Sequence, residues 1–352
     1  MSVYIKKPLV LISAILAGLF TLQAICHAQV PVTSAGPPRT ATIPQHEQST
    51  ALAQARSLLN KGQFNEAEDS LRHYLDTHPS SADAHFLLGY VLFREIQAKA
   101  SQEGREDARF EQQNAKASLV EFMAGAKYQT PGAFDLKIVA LDYVLLHNYV
   151  EADKWLTRSV ERDPKDPEGW YYLGRAKYNE NRFEDAIRAF TRCLTLDPGN
   201  LKAEDNLGLS YAGLDRHEEA IAAYQKAIAW QAEALIKDSG PFINLGSLLL
   251  EQNRVEEAIP YLMQGVSISP EESRAHAALG KAYSKQNELK KAQSELEKAV
   301  ELAPDNASLH YVLAQVYRKQ GLIDKAKVEF ARSAELNGSN SSPVNDLPGK
   351  SR

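Results

Sequence analysis

The chain has almost no cysteine. Its 352 residues contain two, and one of them, Cys26, lies in the first apolar stretch, so a disulfide framework is excluded. An excess of positive charge is missing too. Lys and Arg number 40 against 45 Asp and Glu, a formal net charge of −5, which lacks the basic footprint of a nucleic-acid binder. There is no paired-cysteine zinc pattern, no His-Glu-x-x-His, no Gly-x-Ser-x-Gly and no glycine-rich phosphate loop. The expectation is therefore a chain that is not an enzyme and holds no cofactor and no metal. After the first 28 residues no apolar run is long enough to span a bilayer.

The N-terminus has what the rest lacks. Lys6 and Lys7 precede an apolar run from Pro8 to Ile25, and Cys26-His27-Ala28 offers small residues before Gln29. Residues 1–28 read as a secretory signal peptide; the rival expectation is an uncleaved N-terminal anchor, the chain's one membrane contact. Residues 29–47, rich in Pro, Ser, Thr and Ala, read as a flexible linker. Residues 341–352 read as a disordered tail. The expected location is exported, periplasmic or secreted.

Between these ends the sequence repeats. Leu173-Gly174 is followed by Ala186, Leu207-Gly208 by Ala220, Leu245-Gly246 by Ala258, Leu279-Gly280 by Ala292, and Leu313-Ala314 by Ala326. The period is about 34 residues, and Pro164, Pro198, Pro270 and Pro304 close most units. Within one unit, Trp170, Leu173, Gly174 and Tyr178 have helical spacing. Asn181-Arg182 break the run, and Phe183, Ala186, Ile187, Phe190 and Leu194 form a second apolar stripe. Each unit is thus a helical hairpin, with Gly and Ala where the two helices cross. Cys193 stands where other units place Ala227, Gly265, Ala299 and Ser333, a small buried position.

The pattern Trp170-x-x-Leu173-Gly174, Ala186-x-x-x-Phe190 and Pro198 resembles the tetratricopeptide repeat (TPR) family. In that frame units start at Gln48, Ala82, Ala133, Pro167, Leu201, Ser239, Ser273 and Ala307, about eight repeats over 48–340. The resemblance implies an all-α, right-handed superhelical solenoid of stacked antiparallel helix pairs. It implies a binding scaffold without naming the ligand.

Two gaps interrupt the frame. Ala82 to Ala133 contains a charged insertion at 95–114, expected as a protruding helical hairpin turning at Gly104. Leu201 to Ser239 is about one helical turn too long, which predicts that the helix through Ala222–Lys237 lengthens. His85, His276 and His310 occupy the slot of Trp170 and are expected to fill it with a ring nitrogen hydrogen-bonded. The acidic pairs Glu218-Glu219 and Glu256-Glu257 open second helices, where they suit the positive helix end.

In the TPR family the first helices line the concave groove. Carrying those positions over gives a partner-binding groove of Phe86, Tyr90, Phe93, Phe134, Lys137, Leu141, Tyr171, Tyr172, Arg175 and Tyr178. Aromatic and Arg side chains of this kind anchor interfaces. Further along, Arg274, Lys281, Lys285, Arg318 and Lys319 form a basic stripe. The reading is a non-enzymatic envelope scaffold that binds protein or peptide segments, in assembly of an envelope complex. The alternative is a binder of an anionic glycan or cell-wall polymer through the basic stripe.

Overall fold

The structure, a computed structural model, describes residues 50–103, 108–232 and 234–339. The expected leader 1–28, linker 29–47 and tail 341–352 lie outside the described residues. Among the described residues there are sixteen helices and no strand. In chain order they are α1 (Thr50–Asn60), α2 (Phe64–Thr77), α3 (Ala82–Glu103), α4 (Ala108–Gly125), α5 (Ala133–Leu145), α6 (Tyr149–Arg162), α7 (Pro167–Asn179) and α8 (Phe183–Leu196). They continue as α9 (Leu201–Ala212), α10 (His217–Trp230), α11 (Gly240–Glu251), α12 (Val255–Ile268), α13 (Ser273–Lys285), α14 (Leu289–Leu302), α15 (Ala307–Lys319) and α16 (Ile323–Ser339). None of them is long and apolar enough to cross a membrane.

Two units divide the chain after Glu180. In the first, α1/α2, α3/α4 and α5/α6 are antiparallel pairs, and α7 packs on α6. In the second, α9/α10, α11/α12, α13/α14 and α15/α16 pair, with α8 packed on α9. Each second helix also touches the next first helix, and the first helices α9, α11, α13 and α15 lie neighbour to neighbour.

The period has a local cause. First helices end in turns where one residue takes left-handed backbone: Gly62, His147, Asn181, Asp215, Asn253, Asn287 and Gly321, with φ from 56° to 77°. Gly has no Cβ to clash there, and Asn and Asp tolerate the conformation. Side-chain caps then restart the chain. Asn148 accepts from the Glu151 amide, Asp166 from Glu168, Asn200 from Ala203 and Asn306 from Ser308. These satisfy amides that have no intrahelical partner.

The small residues sit where two backbones meet. A Cβ on Gly208 would lie 2.5 Å from Tyr224, and one on Gly246 or Gly280 would lie 2.6 Å from Leu262 or Leu296. Ala220, Ala258 and Ala292 are fully buried on the facing helices. Around them Leu245, Leu262 and Leu296 join one core that runs through the second unit. Each such leucine contributes about 1.5–3 kcal/mol relative to exposure.

The two gaps resolve differently. The expected hairpin at 95–114 corresponds to α3 and α4, at 22 and 18 residues the longest in the first unit. Asn114 Nδ2 donates to Glu95 Oε2 (2.9 Å) and Lys99 Nζ lies 4.0 Å from the Phe110 ring centroid, so the two helices stay paired well towards the tip. Gly104, the expected turn, lies outside the described residues. The second gap corrects the sequence reading: α10 ends at Trp230 instead of running to Lys237. Gln231 is the cause. Its buried amide donates to the Asp238 carbonyl (3.0 Å) and accepts from the Asp238 amide (2.6 Å), closing a loop. Leu235 and Ile236 stand at the outside of that loop, 93% and 72% exposed.

Candidate partner-binding faces

In the first unit the expected groove is largely consumed by packing. Phe93 is 2% exposed. Phe86 stacks on Phe122 of α4, and its ring fills the space that a Cβ on Gly125 would need. Leu141, Tyr171, Tyr172 and Arg175 are buried as well. Phe86 therefore helps hold the long α3/α4 hairpin together, and neither Phe86 nor Phe93 is presented to a partner. Burial, with Glu168 and Tyr171 adding to it, holds the Tyr172 phenol above its usual pKa, as expected of a phenol that packs.

Lys137 is a second correction. It is buried, and its ammonium donates to Asp166 (2.8 Å) and Glu168 (2.6 Å) at the start of α7. Burial alone would lower its pKa, but Glu168 and Asp166 raise it. The charge is spent on fixing α5 to the N-terminus of α7. Of the ten groove residues, Tyr90, Phe134 and Tyr178 remain half-buried. Tyr90 meets Phe134 edge-on at 5.0 Å, and its hydroxyl accepts from Arg94 (3.1 Å).

The second unit presents its charges. Lys281, Lys285, Arg318 and Lys319 are exposed on the neighbouring helices α13 and α15, and Arg274 is half-exposed. Lys319 Nζ reaches Ser284 Oγ (3.1 Å), next to Lys285, so the two helices present one continuous basic surface. Lys285 donates to Asn253 Oδ1 (3.1 Å) and the Arg318 guanidinium lies 5.8 Å from the Phe330 ring centroid. Arg274 Nε donates to Glu272 (3.1 Å). Save for that of Arg274, each bond is to a neutral group, so among the described residues no carboxylate pairs with Lys281, Lys285, Arg318 or Lys319. The sequence also missed an acidic partner to this stripe. Asp205 on α9 is half-buried, and both its oxygens lie 3.0 Å from Asn244 Nδ2 on α11. Burial pushes the Asp205 carboxyl up to about 7, against the pull of the Asn244 hydrogen bond.

The three histidines fill the Trp170 slot. Trp170 Nε1 donates to the Pro164 carbonyl, and the Nε2 atoms of His85, His276 and His310 meet the Pro79, Pro270 and Pro304 carbonyls at 2.8–3.1 Å. Their Nδ1 atoms meet Glu121, Glu295 and Glu329 at 2.6–2.7 Å. Both ring nitrogens are occupied by these contacts in each case. Cys193 is buried.

Tetratricopeptide repeat profiles match the chain over residues 52–105, 167–200, 200–271, 249–301 and 277–341. Among curated proteins it is similar to the cytochrome c-type biogenesis protein CycH of Pseudomonas aeruginosa, 31% identical over 172 residues, covering 46% of this chain and 40% of that protein. It is also similar to Essential for maintenance of the cell wall protein 1 of Saccharomyces cerevisiae, 29% identical over 126 residues, covering 36% of this chain. The chain spans 40% and 14% of the lengths of these two relatives. Among solved structures, the APC/C hetero-tetramer Cut9-Hcn1 aligns with a TM-score of 0.56 at 18% identity, covering 82% of this chain and 53% of that chain. That likeness is one of fold.

Proposed function

Because this chain belongs to the tetratricopeptide repeat family, we propose that it is a non-enzymatic scaffold that binds protein segments on the first-helix face of its second unit. The carrying observation is the exposure of Lys281, Lys285, Arg318 and Lys319 on two adjoining helices, whereas most aromatics of the first unit are engaged in packing. An acidic protein segment is the occupant such a face selects, through charge pairing at its rim. We place the protein in the cell envelope, exported by residues 1–28 or anchored by them, and assign it to the assembly of an envelope complex. The similarity to CycH, a cytochrome c-type biogenesis protein, supports that assignment. A second reading, binding of an anionic glycan or cell-wall polymer, draws on the same basic face.

The test is binding of a fluorescent acidic peptide to the full, detergent-solubilised chain and to its K281E/K285E/R318E/K319E variant. The proposal expects affinity to fall at least about tenfold, the equivalent of about 1.4 kcal/mol. A Phe134→Ala/Tyr178→Ala variant should bind as the parent does. Loss of binding in the aromatic variant alone would return the site to the first unit.

A further inference from the structure

The first-helix face of the second unit changes sign along its length. At its start, α9 and α11 present Asp205 and the exposed Glu251. At its end, α13 and α15 present the four basic side chains. Among the described residues Asp205 has no ion-pair partner at short range. Its contact is the neutral Asn244 amide, whose Oδ1 faces no donor among the described residues. Arg274 acts on Asp205 electrostatically, but it and the other cations of these helices make their short contacts elsewhere. Arg274 on α13 is held by Glu272, Lys226 on α10 pairs with Glu204, and Lys202 is also engaged. Asp238, in the loop before α11, adds negative charge: its Oδ1 accepts the Gly240 amide (2.8 Å). A Cβ on Gly240 would lie 3.3 Å from Asp205 and 3.0 Å from Asp238, so both carboxylates converge on one side-chain-free backbone position.

We propose that this face binds a bipolar protein segment, with a lysine ammonium or a chain N-terminus seated on Asp205 and Asn244 and acidic side chains on Lys281, Lys285, Arg318 and Lys319. An ammonium has three donors and no acceptor. Asp205, the Asn244 amide oxygen and Asp238 supply acceptors close to the start of α11. Packed helices lie about 8–10 Å apart, so the two ends of the face are separated by about two such steps. An extended chain at about 3.3 Å per residue crosses that distance in about six residues. The inference rests on the proposed use of this face for protein segments and adds the second half of the ligand.

The probe is a synthetic peptide carrying one lysine, a six-residue Gly/Ser spacer and three glutamates, with its N-terminus acetylated. Its partner probe has the lysine replaced by glutamine. Both are titrated against the full chain and Asp205→Asn, whose fold is checked by its helical circular dichroism. The expected result is about a tenfold loss on changing Lys to Gln in the peptide, the same loss in Asp205→Asn, and no further loss when both are changed. The Lys peptide should also weaken from pH 8 to 6, as Asp205 takes up a proton, and the Gln peptide should not. If both peptides bind equally, lose affinity in the four-Glu variant and ignore Asp205→Asn, the cation site is overturned and the basic face stands. If neither peptide binds at millimolar concentration, both proposals fall.

Discussion

Ser118 has one hydroxyl proton and two acceptors within reach. Its Oγ lies 2.9 Å from the Gly89 carbonyl and 2.6 Å from Asp142 Oδ2. The hydroxyl donates to Asp142 Oδ2, with the Gly89 carbonyl a second acceptor for the same proton. Asp142 is fully buried among the helices of the first unit. Burial raises its pKa well above the ordinary carboxyl value, and the Ser118 hydrogen bond only partly opposes that. Its Oδ1 finds no partner, a smaller penalty for a neutral acid than for a carboxylate. The sign of the pH effect follows. The unfolded chain loses this proton near 3.9 while the folded one keeps it, so stability is greatest below that value and falls as pH rises toward the folded pKa. Asp142→Asn supplies an amide N–H in place of the acid O–H. Thermal unfolding followed by circular dichroism should find the variant more stable than the parent at pH 8, with the difference shrinking at pH 4. A less stable variant at pH 8 would show that Asp142 is ionised in the fold.

At the scale of the helix pair, the glycine at the crossing sets how closely two backbones approach. Gly246→Ala removes about 1 kcal/mol of helix-propensity penalty. It also drives a Cβ to 2.6 Å from Leu262, with Ala258 O at 3.3 Å. Leu262 is fully buried and cannot swing away, so overpacking of about 1–3 kcal/mol outweighs the propensity gain. Urea unfolding should place Gly246→Ala below the parent, whereas Gly199→Ala, with nothing within 4 Å of the new Cβ, should lie close to it. A stabilised Gly246→Ala would mean that the crossing has slack. These pairs were legible in the sequence because each depends on residues within one period: the Leu-Gly and Ala crossing, the turn at Asn181, the aromatic slot shared by Trp170 and the three histidines. What was not legible depends on partners in other pairs or on unusual loops. Phe86 and Phe93 have the spacing of groove residues, but Phe86 packs on Phe122 of the long α4 and Phe93 is buried. Lys137 looks free until Asp166, 29 positions on, caps α7 beside it. Gln231 gives no periodic signal, yet its side chain ends α10 where the apolar spacing would let it run on. The pairing of Asp205 with Asn244 crosses 39 positions and an irregular repeat length.

At the scale of the whole molecule, local and net charge have opposite signs. The chain carries a formal net charge of −5, while α13 and α15 expose a basic face. A short acidic peptide that fits within the face meets mainly the local field. A long polyanion extends past it and meets the net negative remainder whenever screening is weak. The Debye length is about 30 Å at 0.01 M salt and about 8 Å at 0.15 M, so salt weakens the peptide's attraction but first relieves the polymer's long-range repulsion. Titration from 0.01 to 0.5 M should show the affinity of a triglutamate peptide falling steadily. That of poly-glutamate on the order of 100 residues should rise, pass through a maximum near 0.1 M and then fall. If the polymer instead binds most tightly at the lowest salt, and more tightly than the peptide throughout, the repulsive remainder does not reach it. The face would then be organised for a continuous anionic polymer, and the glycan reading would take precedence over the protein segment.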